Sequence, residues 1–227
     1  MTIIQSEYEF TLPRGYLDED HQLHRQVTLR LATGRDDFQA SQSPRVAANP
    51  RYKGIEMLSR VVLRIGAVEP VHAGVIRGLF AQDYYGLIEE FNRLNYGQQP
   101  TVNFPKAEVW DIESDPISLD ARFLDDRGQE QQLTARMRAA RAEDEILPWG
   151  DDRVKENAGF RPYIILSRVL IQLTGLPTIN PASLQELPLK DLQTLWKEYN
   201  RFNYGNSSFG EPPGESLATP QTSFAGR

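Results

Sequence analysis

Cysteine is absent from this chain of 227 residues. That excludes disulfides, a thiolate nucleophile and cysteine-ligated zinc or iron–sulfur centres. It also fits a reducing compartment. Histidine is scarce, with His21, His24 and His72 as the whole set. His21 and His24 fall in or beside a turn and lack the i, i+4 spacing of a helical ligand pair. The matching positions of the second half of the chain hold no histidine. They read as solvent-facing turn residues, so no metal and no cofactor is expected. An excess of positive charge is missing too: 25 Lys and Arg stand against 31 Asp and Glu, a net charge of −6. The basic residues are scattered among acids, so non-specific attraction to nucleic acid or to an anionic membrane is not expected. No apolar run approaches the roughly 20 residues of a membrane-spanning helix. Met1 to Phe10 shows no basic stretch followed by an apolar core, which predicts no secretory signal. Together with the missing cysteine, this makes a cytoplasmic location the expectation.

Catalytic signatures are absent as well. There is no phosphate-binding Gly-x-x-x-x-Gly-Lys-Ser/Thr, no Gly-x-Gly-x-x-Gly and no Gly-x-Ser-x-Gly. Acidic clusters occur at Asp18 to Asp20, Asp125-Asp126, Glu143 to Glu145 and Asp151-Asp152. They lack the alternating oxygen ligands and central Gly of a calcium loop and read as turns or helix starts. Ser59 and Ser167 sit beside an Arg with no base in their sequence context. No enzyme is expected.

What the chain does contain is a repeat. Glu90-Phe-Asn-Arg-Leu-Asn-Tyr-Gly97 returns 108 residues later as Glu198-Tyr-Asn-Arg-Phe-Asn-Tyr-Gly205, with six of eight positions identical. Recurrence at that fidelity marks an internal duplication. It predicts a first unit over 1–97, a linker over 98–107, a second unit over 108–205 and a tail over 206–227. The tail is rich in Ser, Gly and Pro and is expected to be disordered.

Within the first unit, Tyr8, Phe10 and Leu12 alternate on one face and predict a half-buried strand. Pro13 to Gln22 reads as a turn. Leu23, Val27, Leu29 and Leu31 alternate inward, completing a β-hairpin. Thr33 to Asp37 suits the opening of a short helix, and Gln39 to Pro50 reads as a loop. Met57, Leu58, Val61, Val62, Ile65 and Val68 form one stripe of an amphipathic helix. A short helix is predicted around Val75, Ile76 and Leu79. A longer one runs from about Asp83 to Leu94, with Gly97 as its stop.

In the second unit Ile117, Leu119, Ala121 and Phe123 alternate, as do Leu133, Ala135 and Met137, around a turn at Asp125 to Gly128. The returning strand aligns with the first at an offset of 106, matching Thr28 with Thr134, Arg30 with Arg136 and Arg35 with Arg141. A stretch holding Trp149 and Asp151-Asp152 reads as an insertion. The helical part then aligns at 108 without gaps, Leu58-Ser-Arg-Val61 with Leu166-Ser-Arg-Val169. Its stripe is Ile165, Leu166, Val169, Leu170, Leu173 and Leu176. The fold class that follows is α+β: two tandem units, each a β-hairpin followed by about three short helices.

The polar residues kept by both copies are the candidates for function: Arg60 and Arg168, Glu90 and Glu198, Asn92 and Asn200, Arg93 and Arg201, Asn95 and Asn203, with Tyr96 and Tyr204 beside them. One reading has them satisfy helix ends and inter-helix contacts, for example as an Arg60–Glu90 pair in each unit. The other makes them a duplicated surface for a protein partner.

The hairpin ending in Val27-Thr-Leu-Arg-Leu-Ala-Thr-Gly-Arg-Asp36, the segment Leu166-Ser-Arg-Val-Leu-Ile-Gln-Leu-Thr-Gly-Leu-Pro177, and Leu187-Pro-Leu-Lys-Asp-Leu192 before the last helix resemble the small tail assembly chaperones of long-tailed bacteriophages, of the Mu-like and P2-like type. The resemblance covers the hairpin and helices of each unit, not the linker, the Trp149 stretch or the tail. It implies a non-enzymatic cytoplasmic protein that engages the tape-measure protein, a long helical and partly apolar chain, and keeps it soluble until the tail tube forms. An apolar groove between helices can accept such a chain. The departure from that family is the second copy and the polar tail. It implies either a fused pair replacing a dimer or a version belonging to a contractile phage-tail-like injection system. A structural baseplate or tube-end adaptor retained in the particle is the rival expectation.

Overall fold

A computed structural model describes residues 7–98, 111–176 and 178–205. The tail over 206–227, and all of the expected linker except Gln98, lie outside the described residues. The class is α+β, as the patterning predicts, with two antiparallel sheets of three strands each.

In the first unit β1 (Glu7–Leu17) pairs with β2 (Leu23–Arg30). The turn is only Asp18 to Gln22, tied by Asp18 Oδ1, which accepts the N–H groups of Asp20 at 2.9 Å and Gln22 at 2.8 Å. β1 therefore runs on through Pro13 and Gly15, where the sequence suggests a turn. The register shifts between Thr11 and Tyr16. That bulge tolerates a proline without an N–H and a glycine at φ +96°.

The helices of this unit are α1 (Gly34–Ser41), α2 (Pro44–Ala48), α3 (Lys53–Val61), α4 (Ala73–Gly78) and α5 (Ala81–Tyr96). Thr33 caps α1 in a reciprocal box with Asp36. The end of α1, the short helix α2 and the start of a 3-10 turn over Pro50–Tyr52 thus occupy the segment expected as a loop. Gly97 ends α5 at φ 65°, as predicted.

The long apolar stripe is not one helix. α3 stops at Val61, and Val62–Ile65 continues directly as β3, antiparallel to β2. Val62 and Ile65 are buried in both readings, so the stripe alone does not discriminate. The unpaired edge of β2 decides it, because its backbone groups need partners and branched residues suit a strand.

The second unit repeats this order. β4 (Ile117–Leu124), β5 (Glu130–Met137) and β6 (Leu170–Leu173) form its sheet. Its helices are α6 (Ala142–Ile146), α7 (Asp152–Glu156), α8 (Arg161–Val169), α9 (Pro181–Gln185) and α10 (Leu189–Tyr204). α2 and α7, α3 and α8, β3 and β6, α4 and α9, and α5 and α10 each begin 108 residues apart. The Trp149 stretch is therefore not an insertion. It carries the counterparts of α1, α2 and the 3-10 turn, and Asn49 and Asn157 cap the same turn in both units.

The returning strand obeys the same offset. Val27 pairs with Ile65 as Ala135 pairs with Leu173, and Thr28 with Arg64 as Arg136 with Gln172. Arg30 thus corresponds to Arg138, not Arg136. A slip of two residues leaves every side chain on its own face, so alternation is blind to it. Within that strand Thr28 is buried and donates to Glu9 Oε1 at 2.9 Å, while Leu23 at the turn end is exposed.

Each sheet is fastened to its long helix by one buried carboxylate. Asp83 of α5 accepts the N–H groups of Arg14 at 2.9 Å and Gly15 at 2.8 Å. Asp191 of α10 accepts those of Asp120 at 2.7 Å and Ala121 at 2.9 Å. Both pairs of N–H groups lie inside the register shift, where β2 and β5 leave them unpaired. Apolar cores lie between sheet and helices in each unit, around Leu29, Leu58 and Leu87 in one and Met137, Leu166 and Leu195 in the other. The cores interlock: Ala142 and Ile146 of the second unit pack into the first, and Ala81 of the first packs into the second.

Candidate partner-binding surface

A strap of chain follows the central strand of each unit, and one retained pair, Asn95 and Asn203, meets it together with Arg30, Asp36 and their counterparts. Arg30 donates to both oxygens of Asp36 at 2.9 and 3.0 Å and to the Arg60 carbonyl at 2.9 Å. Arg138 does the same with Asp144, at 2.7 and 3.1 Å, and with the Arg168 carbonyl at 3.0 Å. The guanidinium beside Asp36 holds its carboxyl well below the usual carboxylate range. One charge-assisted fork thus ties the central strand, the first helix and the end of α3 together, with α8 in the place of α3 in the second unit.

Asn95 and Asn203 complete the strap. Asn95 Oδ1 accepts the Ala32 N–H at 2.8 Å and its amide donates to the Phe91 carbonyl at 2.9 Å. Asn203 accepts the Ala140 N–H at 2.7 Å and donates to the Tyr199 carbonyl at 2.9 Å. These two asparagines fasten the final helix of each unit to its sheet.

The remaining candidates are placed differently. Arg60 does not reach Glu90; it lies 3.8 Å from Glu56, one turn earlier on its own helix. Arg168 donates to Asp144 at 2.9 Å. Glu90 instead pairs with Arg93 at 2.6 Å and Glu198 with Arg201 at 2.7 Å, both on the solvent side of the last helix. Asn92 and Asn200 are half-buried and lie in sequence between the two members of each pair. Tyr96 is exposed, whereas Tyr204 is buried and donates to Glu145 Oε1 at 2.7 Å.

Tyr204 belongs to a buried polar cluster that the second unit alone possesses. Glu145 also accepts from Tyr199 and Arg161, all buried. Burial, followed by the nearby Glu145 carboxylate, pushes the hydroxyls of Tyr199 and Tyr204 well above their ordinary range. The first unit closes over this cluster. Trp149 is stacked by Arg51 of the first unit at 3.8 Å and by Arg161 at 4.8 Å. Arg141 donates to the Gly78 carbonyl at 2.6 Å and lies 4.3 Å from the Phe80 ring centre. Arg14 reaches the Phe202 carbonyl and sits between the Phe80 and Phe202 rings, and burial lowers its guanidinium to about 10.

Sequence reasoning named the asparagines, the glutamates and the arginines, but it paired Glu90 with Arg60 rather than with Arg93 and did not single out a role for Arg30, Arg138, Asp36, Asp144 or Glu145. The signal for the first four was available: extending the offset of 108 back through the strap aligns Arg30 with Arg138 and Asp36 with Asp144. Among the described residues no group of three or more His, Cys, Asp or Glu is placed to hold a metal ion, and no helix is long and apolar enough to cross a membrane. No family model, curated protein or solved structure matches the chain.

Proposed function

We propose that this chain is a non-enzymatic protein-binding module of phage-tail-like assembly, and that its partner is the tape-measure protein. The observation that carries the reading is the twin ion pair, Glu90–Arg93 and Glu198–Arg201, held at one place on both final helices. An exposed pair at this spacing contributes only about 0.2–0.5 kcal/mol to a helix. The fold gains too little from it to keep both partners, while adjacent Glu89 has become Lys197 and Tyr85 has become Gln193. A surface used twice by a partner supplies the missing reason. Two equal faces on one chain suit a long helical partner, because the second contact forms at high effective concentration. The resemblance of the hairpin and helices of each unit to tail assembly chaperones suggests the identity of that partner.

Co-expression with a phage tape-measure protein is the test. The expected result is a soluble tape measure that co-purifies with this chain. Unchanged solubility and no co-purification sink the reading. The rival reading, a baseplate or tube-end adaptor, is separated by mass spectrometry of finished particles. A chaperone is absent or substoichiometric there, and an adaptor is present at fixed copy number.

A further inference from the structure

The contact between the two units is heterologous. The elbow between α4 and α5 of the first unit meets the strap between β5 and α6 of the second. Ala81 N–H donates to the Ala140 carbonyl at 2.9 Å, and Ala142 N–H to the Leu79 carbonyl at 2.8 Å. Because the units are copies, each owns both an elbow and a strap. One of each is left over: the α9–α10 elbow of the second unit and the β2–α1 strap of the first.

The leftover surfaces carry apolar or aromatic side chains at three positions where the used ones do. Ala81 is 1% exposed in the contact, and its counterpart Leu189 is 68% exposed. Ile146 and Tyr204 are each 5% exposed, and their counterparts Phe38 and Tyr96 are 62% and 63% exposed. The backbone repeats the pattern. The N–H groups of Leu189 and Gly34, matching those of Ala81 and Ala142, have no hydrogen-bond partner among the described residues. Asn49 is buried and donates to the Ile146 carbonyl at 2.8 Å, while its counterpart Asn157 is exposed. The ion pair Arg161–Glu145 is buried, and the equivalent pair Lys53–Asp37, 2.7 Å apart, stands open to solvent. Every one of these differences has the same direction: covered where the sister unit lies, bare where none does.

We propose that a second copy of this chain covers them, its α9–α10 elbow docking on the β2–α1 strap of the next molecule and repeating the intramolecular contact head to tail. The larger apolar side chains at the bare positions, Leu for Ala and Phe for Ile, fit a contact that must form without a tether. Four anchors of the contact are not repeated. Thr33 stands in place of Arg141, Ser41 in place of Trp149, Pro188 in place of Phe80 and Gly159 in place of Arg51. The contact between molecules is therefore weaker than the one within them, which also has the linker's effective concentration behind it. Association depends on concentration as a result. Head-to-tail contacts do not saturate by pairing like with like; they build rings when the rotation closes and filaments when it does not. The proposal stands independently of the tape-measure reading.

Two full-length variants test it, Leu189→Asp on the elbow and Phe38→Asp on the strap, each at an exposed position and each checked for native circular dichroism. Sedimentation or light scattering over rising concentration reads the mass. The expected result is wild-type protein growing beyond a monomer, each variant alone remaining a monomer, and an equimolar mixture of the two forming a one-to-one pair through the single intact elbow and the single intact strap. The proposal is overturned if wild-type protein stays monomeric up to about 1 mM, where even weak contacts register. It is equally overturned if either variant assembles as the wild type does, or if the mixture associates no more than its components.

Discussion

Asn203 and Ala140 are joined by a buried hydrogen bond of 2.7 Å, side-chain oxygen to backbone N–H, across 63 residues of sequence. The bond fixes where the final helix of the second unit meets its strap. Replacing Asn203 with Leu leaves the Ala140 N–H buried and unpaired, at a cost of about 1–3 kcal/mol. The equivalent Asn95→Leu change in the first unit is milder, because Ala32 is only half-buried and water can substitute. Urea denaturation of the two variants reads the difference; equal losses at both sites contradict it.

The stability of the chain has two opposed dependences on pH. Burial pushes the Asp83 carboxyl up to about 7, against the pull of the Arg14 and Gly15 N–H groups and of the Arg14 and Arg25 guanidinium groups. Between its ordinary value of 3.8 and about 7 the folded chain keeps a proton that the unfolded chain has lost. This contribution is complete below pH 3.8 and is lost as pH rises through 7. Asp36 acts in the reverse sense: its carboxyl is depressed by Arg30, so its contribution is present above roughly pH 4 and is lost in acid. Urea midpoints measured from pH 4 to 7 should fall in the wild type and flatten in Asp83→Asn. A slope unchanged by that substitution refutes the assignment.

The charges of the retained pair can be exchanged without touching the core. Glu198→Lys combined with Arg201→Glu preserves an ion pair on α10 and should leave stability within about 0.5 kcal/mol of wild type. Capture of the tape-measure partner should fall at least about tenfold, equivalent to ~1.4 kcal/mol. Pull-down yield and thermal melting of one sample separate the two effects. Unchanged capture removes the pair from the binding surface.

Gln82 is fully buried at the start of α5, and neither end of its carboxamide has a hydrogen-bond partner among the described residues. A methionine of similar length removes the unsatisfied dipole. Gln82→Met should therefore stabilise the chain by about 1 kcal/mol. A comparable loss in a denaturant titration would show that the amide is held by a water molecule instead.

The hairpins, the long helices and the Gly97 stop were legible because each rests on a local rule, alternation, helical spacing or a left-handed cap. What escaped depends on distant partners. Val62–Ile65 reads as helix by spacing and becomes strand only because β2, 38 residues away in sequence at the Val27–Ile65 pairing, needs an edge covered. Pro13 and Gly15 read as a turn and lie in a strand because Asp83 supplies an acceptor for the bulged backbone. The strap was misaligned by two residues because the period of a strand cannot register such a slip. The burial of Tyr204 and exposure of Tyr96, identical residues in octapeptides that differ at two positions, were beyond any local rule: the neighbouring unit makes the difference.

The direct passage from Val61 of α3 to Val62 of β3 has a mechanical meaning. With no loop between them, helix and strand have no hinge. A displacement of Ile55 at one end is delivered to Ile65 at the other, and the same holds from Ile164 to Leu173 in the second unit. Sheet and helix open together or not at all, so the amides of Val62 to Ile65 exchange with solvent in step with those of the helix that precedes them.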